Sequence, residues 1–179
     1  MIRAMSPGRL AFRRAAQADC DQLLEWRNAA DTRAASRNTD VVGTEEHSAW
    51  LERVLDDPNR HLLIVELDGE SAGQIRFDRV GGSHRYEISV SLGPEWRGRG
   101  LGTRALRGAC GWLWKHTNAV GVEAEVRQEN EVSSAAFLSA GFRPAGEGET
   151  GFLRLALERP EPSKPDIPGR GAEGIAFTE

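Results

Sequence analysis

Cysteine is nearly absent from this chain: only Cys20 and Cys110 occur among 179 residues. They lie far apart in segments of helical periodicity, so neither the paired spacing of a zinc site nor the density of a secreted disulfide scaffold is present. A reducing, cytoplasmic setting is the expectation. Histidine is sparse as well. His47, His61, His84 and His116 stand singly, without a Cys or His companion at ligand spacing, and no metal is expected. Long apolar runs are missing: there is no stretch of about 18 apolar residues, and the basic segment Met1 to Arg14 lacks the roughly 7–15-residue apolar core of an export signal. Neither a membrane span nor export is expected. Excess positive charge is lacking too, because 23 Lys and Arg face 27 Asp and Glu, a formal net charge of −4. That balance argues against nucleic acid as a partner and leaves room for a local Arg cluster on one phosphorylated ligand.

What is present is the make-up of a folded domain, 39% hydrophobic and 28% charged with both signs intermixed. Alternation predicts a first strand from Leu10 to Arg14, and Asp19 is placed to cap a helix that runs through Leu23, Leu24 and Arg27 to Asn28. Ala29 to Val42 reads as a loop with a short helix. Thr44 is the expected N-cap of the next helix, whose stripe of Trp50, Leu51, Val54 and Leu55 stops near Pro58. Three β-rich segments follow, His61 to Leu67, Ala72 to Val80 and Arg85 to Leu92, separated by the turns Asp68-Gly69 and Gly81-Gly82: a meander. The pattern then alternates. A helix carries Leu101, Ala105, Leu106, Ala109 and Leu113, a strand spans Val120 to Val126, and a helix spans Asn130 to Ala140. Closing strands are expected around Phe142 and from Phe152 to Leu157, joined through Gly146, Gly148 and Gly151. The domain is placed at residues 1–158. Residues 159–179 are rich in Pro and Gly, and disorder is expected there despite the small apolar cluster Ile175, Ala176 and Phe177.

The most informative segment is Arg97-Gly98-Arg99-Gly100-Leu101-Gly102-Thr103, between the meander and a helix. Glycines at alternate positions let backbone N–H groups converge without Cβ obstruction, and a helix N-terminus adds unpaired donors and the positive end of its dipole. Such a cradle suits pyrophosphate. A nucleotide P-loop is excluded because no Gly-Lys-Ser or Gly-Lys-Thr triplet occurs. The dinucleotide fingerprint fits in spacing, as Gly100-x-Gly102-x-x-Ala105 with Glu123 about 20 residues onward, but a doubly wound fold needs repeated βαβ units and only one follows the loop.

The third option carries a resemblance. Arg97-x-x-Gly100-x-Gly102, preceded by Ser91-Leu92-Gly93-Pro94-Glu95-Trp96 and followed by Asn130 through Phe137 to Ala140-Gly141-Phe142, resembles the GNAT superfamily of acetyl-CoA-dependent N-acyltransferases, over roughly Leu10 to Leu157. The resemblance implies an α/β (α+β) fold with a mixed, strongly twisted sheet of about seven strands, an antiparallel meander then βαβα, and helices on both faces. It implies acetyl-CoA as co-substrate. The gap between the Leu92 strand and the Val126 strand would take the pantetheine arm, with Ser91 and Leu92 offering backbone groups and residues Arg97, Gly98, Arg99, Gly100, Leu101, Gly102 and Thr103 wrapping the phosphates. Asn130, read from the residues as a helix N-cap, and Phe137 near the thioester end complete the cofactor set.

Amide formation needs a deprotonated amine, a polarised thioester carbonyl and a proton for the departing thiolate. Glu87 is the candidate base, on the strand face opposite Ile88, Val90 and Leu92; its rival role is pairing with Arg76 or Arg85. The family often has a Tyr where this chain has Phe137, so the thiolate proton is left to Ser133, Ser134, a water, or no dedicated acid. The acceptor pocket is expected from Arg27, Asn28, Arg33, His47 and Trp50, in an order that loosely resembles acetyltransferases for nucleotide-linked amino sugars of pseudaminic acid synthesis. Rival readings are an acetyltransferase for a protein N-terminus or a small amine such as an aminoglycoside or polyamine, and a non-catalytic acyl-CoA-binding module. An open acidic groove would favour a peptide or polycation. The oligomeric state is open, a homodimer included.

Overall fold

The computed structural model describes residues 8–161, apart from the side chain of Glu147, so most of the Pro- and Gly-rich segment and its expected disorder lie outside the described residues. Seven strands form one sheet: β1 (Leu10–Arg14), β2 (Arg60–Leu67), β3 (Glu70–Arg79), β4 (Arg85–Leu92), β5 (Gly121–Arg127), β6 (Arg143–Glu147) and β7 (Phe152–Glu158). Five helices accompany them: α1 (Cys20–Asn28), α2 (Ala30–Ala35), α3 (Thr44–Asp56), α4 (Leu101–His116) and α5 (Glu131–Ala140). The sheet order is β1-β2-β3-β4-β5-β7-β6. The first four strands are an antiparallel meander, as the turn residues predict: Asp68 and Gly69 have φ of 54° and 89°, which suits a tight two-residue hairpin turn.

Two caps differ from the sequence reading. Gly43, not Thr44, occupies the N-cap of α3, its carbonyl accepting from the His47 N–H at 3.0 Å. Asp19 stands at the N-cap position of α1, but its side chain bonds no N–H of that helix. Its carboxylate accepts from the Ala16 N–H at 2.8 Å and pairs with Arg13 through two bonds of 2.8 and 2.7 Å, because a guanidinium fork is a better partner than a distant N–H.

Strand alternation divides the core. One face sends Leu63, Val65, Ile75, Phe77, Tyr86, Ile88, Val122, Ala124 and Val126 against Ala105, Leu106, Ala109 and Leu113 of α4 and Phe137 and Ala140 of α5. The other sends Leu62 and Ile64 against Leu23 and Trp26 of α1 and Leu51 and Val54 of α3. Helices therefore cover both faces: on the second, α3 packs on β2 and α1 reaches the end of β4. Over β4, β5 and β7 that face carries Glu87, Ser89, Glu123, Glu125, Arg127 and Arg154.

β4 and β5 are the parallel pair, and they pair at three positions only: Arg85 with Gly121, Tyr86 with Val122, and Glu87 with Glu123. Beyond Glu87 the strands part. The paired end is held by Arg85, whose guanidinium donates to Glu123 at 2.7 Å and to Glu158 at 2.5 and 3.1 Å, while Arg154 joins Glu123 from β7. Gly121 makes this possible, since a Cβ there would lie 2.7 Å from the Arg85 guanidinium. The open end, from Ile88 to Leu92 on one side and Ala124 to Arg127 on the other, is the opening that positions the site.

Candidate active site

At the open end β4 runs through Gly93 and a short 3-10 turn, Pro94–Trp96, into the glycine loop and α4. Gly98 and Gly100 hold φ of +71° and +70°, a left-handed conformation that side chains resist, and a Cβ on either would meet nothing within 4 Å. Their requirement is conformational, not steric. Gly102 differs, since its hypothetical Cβ would make ordinary contacts at 3.8 Å to Ala136 and 3.9 Å to Leu92. The first turn of α4 has no acidic residue, and its leading N–H groups have no intrahelical partner. A donor cluster at the positive end of a 16-residue helix, with exposed Arg99 beside it, fits an anion such as a diphosphate. Leu101 is buried and anchors the loop, and Thr103 bonds the Ala136 carbonyl at 3.4 Å, joining α4 to α5.

Arg97 stands apart from this cluster. Its guanidinium donates to the Leu92 carbonyl at 3.0 Å, Asp31 at 3.0 Å and the Thr32 hydroxyl at 2.9 Å, so it ties α2 to the end of β4 instead of reaching toward the cradle. Ser91 joins the same knot, its hydroxyl 3.4 Å from that of Thr32. Leu92 is half-buried beside the gap. Asn130 caps α5, its Oδ1 accepting from the Ser133 N–H at 3.1 Å. Phe137 is buried and packs edge-on against Phe142 with centroids 5.0 Å apart, so it belongs to the core and has no proton to give.

The five residues expected to form an acceptor pocket are placed otherwise. Arg27 donates to the Asn38 carbonyl at 2.9 Å, Arg33 to the Asn28 and Thr39 carbonyls at 3.3 and 3.0 Å, and the Asn28 amide makes two 2.9 Å bonds with the Val42 backbone. All three hold the loop between α2 and α3. That segment has no strand partner, so its carbonyls and N–H groups need donors and acceptors from side chains. His47 is 3% exposed, its ring tilted by 30° against that of Trp50 with centroids 5.0 Å apart, and Trp50 in turn lies under Arg76 at 5.7 Å. Arg27 and Arg33 are thus engaged on backbone carbonyls, and His47 and Trp50 on each other.

Burial first, and the nearby Arg27 charge second, hold the His47 pKa below its ordinary value; burial does the same to His61. Below about pH 6.5 the unfolded chain takes up protons that the folded chain refuses, so stability falls with pH from there, at up to about 1.4 kcal/mol per pH unit for each such histidine. Urea midpoints at pH 7.5 and 5.5 should show this loss, and His47→Phe, which keeps a ring on Trp50, should reduce it. An unchanged slope in the variant would assign the whole effect to other groups.

What the structure gathers instead is a mouth in which two carboxylates, Glu87 and Glu125, share one guanidinium. Glu125 lies on β5 two residues past the last rung shared with β4, and Glu87 lies on that rung, on the same face. Glu87 does not pair with Arg76 or Arg85, which are joined to Asp78 and to Glu123 and Glu158. Both Glu87 and Glu125 meet Arg37, which bonds Glu125 and lies 4.0 Å from Glu87. Glu125 is the more enclosed, its side chain 21% exposed against 43% for Glu87. Neither Glu125 nor Arg37 stands out in the sequence. Glu125 was legible as an outward residue of an alternating strand, but its nearness to Glu87 depends on a parallel pairing across 38 residues of chain.

Residues 9–143 match the family described as acetyltransferase (GNAT) domain. Spermidine N(1)-acetyltransferase of Escherichia coli (strain K12) is 30% identical over 103 residues, 57% of this chain and 55% of that protein, so the match spans about half of this relative's length. Among solved structures, spermidine N-acetyltransferase from Vibrio cholerae, in complex with CoA and spermine, superposes with a TM-score of 0.75 at 16% identity, covering 83% of this chain and 95% of that one. Aminoglycoside acetyltransferase AAC(6')-Ib, in complex with coenzyme A and kanamycin, superposes at 0.73 with 18% identity, covering 84% and 95%. A sheet opened beside a glycine loop and a domain match over three quarters of the chain point the same way: this protein belongs to the GNAT acetyltransferase domain family.

Proposed function

We propose that this chain is an N-acetyltransferase that moves the acetyl group of acetyl-CoA to a primary amine of a small, multiply charged cation. The observation that carries the acceptor class is the pair of carboxylates, Glu87 on the last β4/β5 rung and Glu125 two residues past it, on one face of the sheet and both at Arg37. Two carboxylates there attract an ammonium ion and supply a base that can take its proton. With Arg27, Asn28 and Arg33 holding the loop, the amino-sugar reading loses the residues that recommended it. The spermidine acetyltransferase relative and the structural neighbours named for spermidine and an aminoglycoside support the cationic reading.

The backbone donors of Gly98 to Thr103 would hold the diphosphate of the co-substrate, and the gap between β4 and β5 would take its arm. Acetyl-CoA supplies the thioester, an acyl group activated toward amines. Glu125, beside the gap, would accept the ammonium proton so that the nitrogen lone pair becomes available, and Glu87 would hold the cation in place. Proton return to the thiol falls to a group other than Phe137; Ser134 Oγ is buried without a protein partner and remains a candidate.

Thiol release from acetyl-CoA, followed spectroscopically against spermidine, aminoglycosides, peptide N-termini and UDP-amino sugars, tests this reading. Turnover is expected with the polyamine or aminoglycoside. Turnover confined to UDP-amino sugars or to peptides would replace the acceptor class, and binding of acetyl-CoA without any turnover would favour the binding-module alternative.

A further inference from the structure

The loop from Ser36 to Asp40 crosses the same mouth between α2 and α3. Three of its residues are fixed through the main chain: Arg127 donates to the Ser36 carbonyl at 2.7 Å, Arg27 to that of Asn38 at 2.9 Å and Arg33 to that of Thr39 at 3.0 Å. Arg37 lies between these anchors and reaches across with its side chain alone. Its guanidinium meets Glu125 and Glu87, with the Phe152 ring 5.9 Å below it. It is thus a tethered cation seated on the two carboxylates that the acetyl-transfer reading assigns to an incoming ammonium.

We propose that Arg37 is an internal stand-in for the acceptor: it neutralises Glu87 and Glu125 in the free protein and is displaced when a cationic amine binds, so that it sets the selectivity of the site. The inference rests on the proposed acceptor class. Magnitudes favour displacement over a permanent lock. The Arg37 side chain is 49% exposed, and ion pairs at such positions are worth no more than about five-fold in an equilibrium constant. An acceptor with two or more positive charges can replace it at both carboxylates, whereas a neutral or anionic amine leaves the guanidinium in place. Displacement also frees Glu125 to accept the acceptor's proton.

Arg37→Ala and Arg37→Gln should lower the KM for spermidine by roughly three- to five-fold, with the KM for acetyl-CoA unchanged, while Arg37→Lys, which keeps a tethered cation, should stay near wild type. Ethylguanidinium, as a free mimic of the missing side chain, should bind the Ala and Gln variants at least three-fold more tightly than wild type in calorimetric titrations with coenzyme A present. A raised KM would make Arg37 an acceptor ligand and overturn the proposal, as would equal ethylguanidinium affinities in all forms. If wild type acetylates no amine at all, the acetyl-transfer reading fails by itself, and the ethylguanidinium titrations still decide whether Arg37 fills a cation site.

Discussion

Gly100→Val should weaken binding of coenzyme A about 100-fold or more, while Gly102→Ala, two residues away in the same loop, should stay within about three-fold of wild type. The difference lies in the backbone. Gly100 holds φ of +70° at the N-cap of α4, a conformation that costs an L-residue roughly 1–2 kcal/mol and a β-branched one more. If the chain relaxes to avoid that cost, the N–H groups on either side turn away from their common focus. Each charge-assisted bond to a phosphate lost in this way is worth roughly 1.5–3 kcal/mol, and the loss of the two flanking donors together, roughly 3–6 kcal/mol, exceeds the roughly 2.7 kcal/mol that 100-fold represents. Gly102 lies within the helix, where an added methyl meets only ordinary contacts. Calorimetric titration of coenzyme A into the three proteins separates the cases. Similar affinities for Gly100→Val and wild type would remove the loop from the cofactor site. The fold should survive both changes, because a Cβ on Gly100 meets nothing within 4 Å.

Glu125→Gln should lower kcat by about 100-fold or more, the usual contribution of a general base, whereas Glu87→Gln should lower it by about ten-fold with a rise in the acceptor KM. Glutamine keeps the shape and the oxygen that accepts from Arg37 but removes both the charge and the capacity to take a proton. The ranking follows position. Glu125 lies past the last β4/β5 rung, beside the gap and largely enclosed, while Glu87 is on the rung and more open to solvent. Steady-state kinetics across pH check the assignment: the acidic limb of the kcat profile should disappear in Glu125→Gln and persist in Glu87→Gln. The reverse ranking would return the base to Glu87, and near-normal turnover in both would exclude a carboxylate base at this mouth.

Much of the architecture is local and was therefore readable. The Asp68-Gly69 turn, the strand alternation around Tyr86 and Ile88, the stripe from Leu101 to Leu113 and the cap at Asn130 each involve residues a few positions apart, where backbone sterics and burial periodicity act directly. The glycine loop was readable for the same reason, since its turn into α4 is set by φ values within seven residues. The Asp19 side chain and Thr44 failed as caps because each had a competitor: Arg13 for the Asp19 carboxylate, and a well-placed Gly43 backbone for the start of α3.

The acceptor side was not readable. Arg27, Asn28 and Arg33 look like ligands in a sequence, because nothing local shows that the loop from Ser36 to Val42 lacks a strand partner and will draw on their donors. Arg97 reads in the sequence as one residue of the glycine loop, and only the fold shows that α2 brings Asp31 and Thr32 onto it from about 65 residues away. By itself the sequence determined the elements, the meander and the glycine turn ahead of α4, all properties of short segments. Only the tertiary structure decided which charges meet: 88 residues separate Arg37 from Glu125 and 38 separate Glu87 from Glu125, and a Coulomb interaction depends on distance in space, which chain separation does not fix.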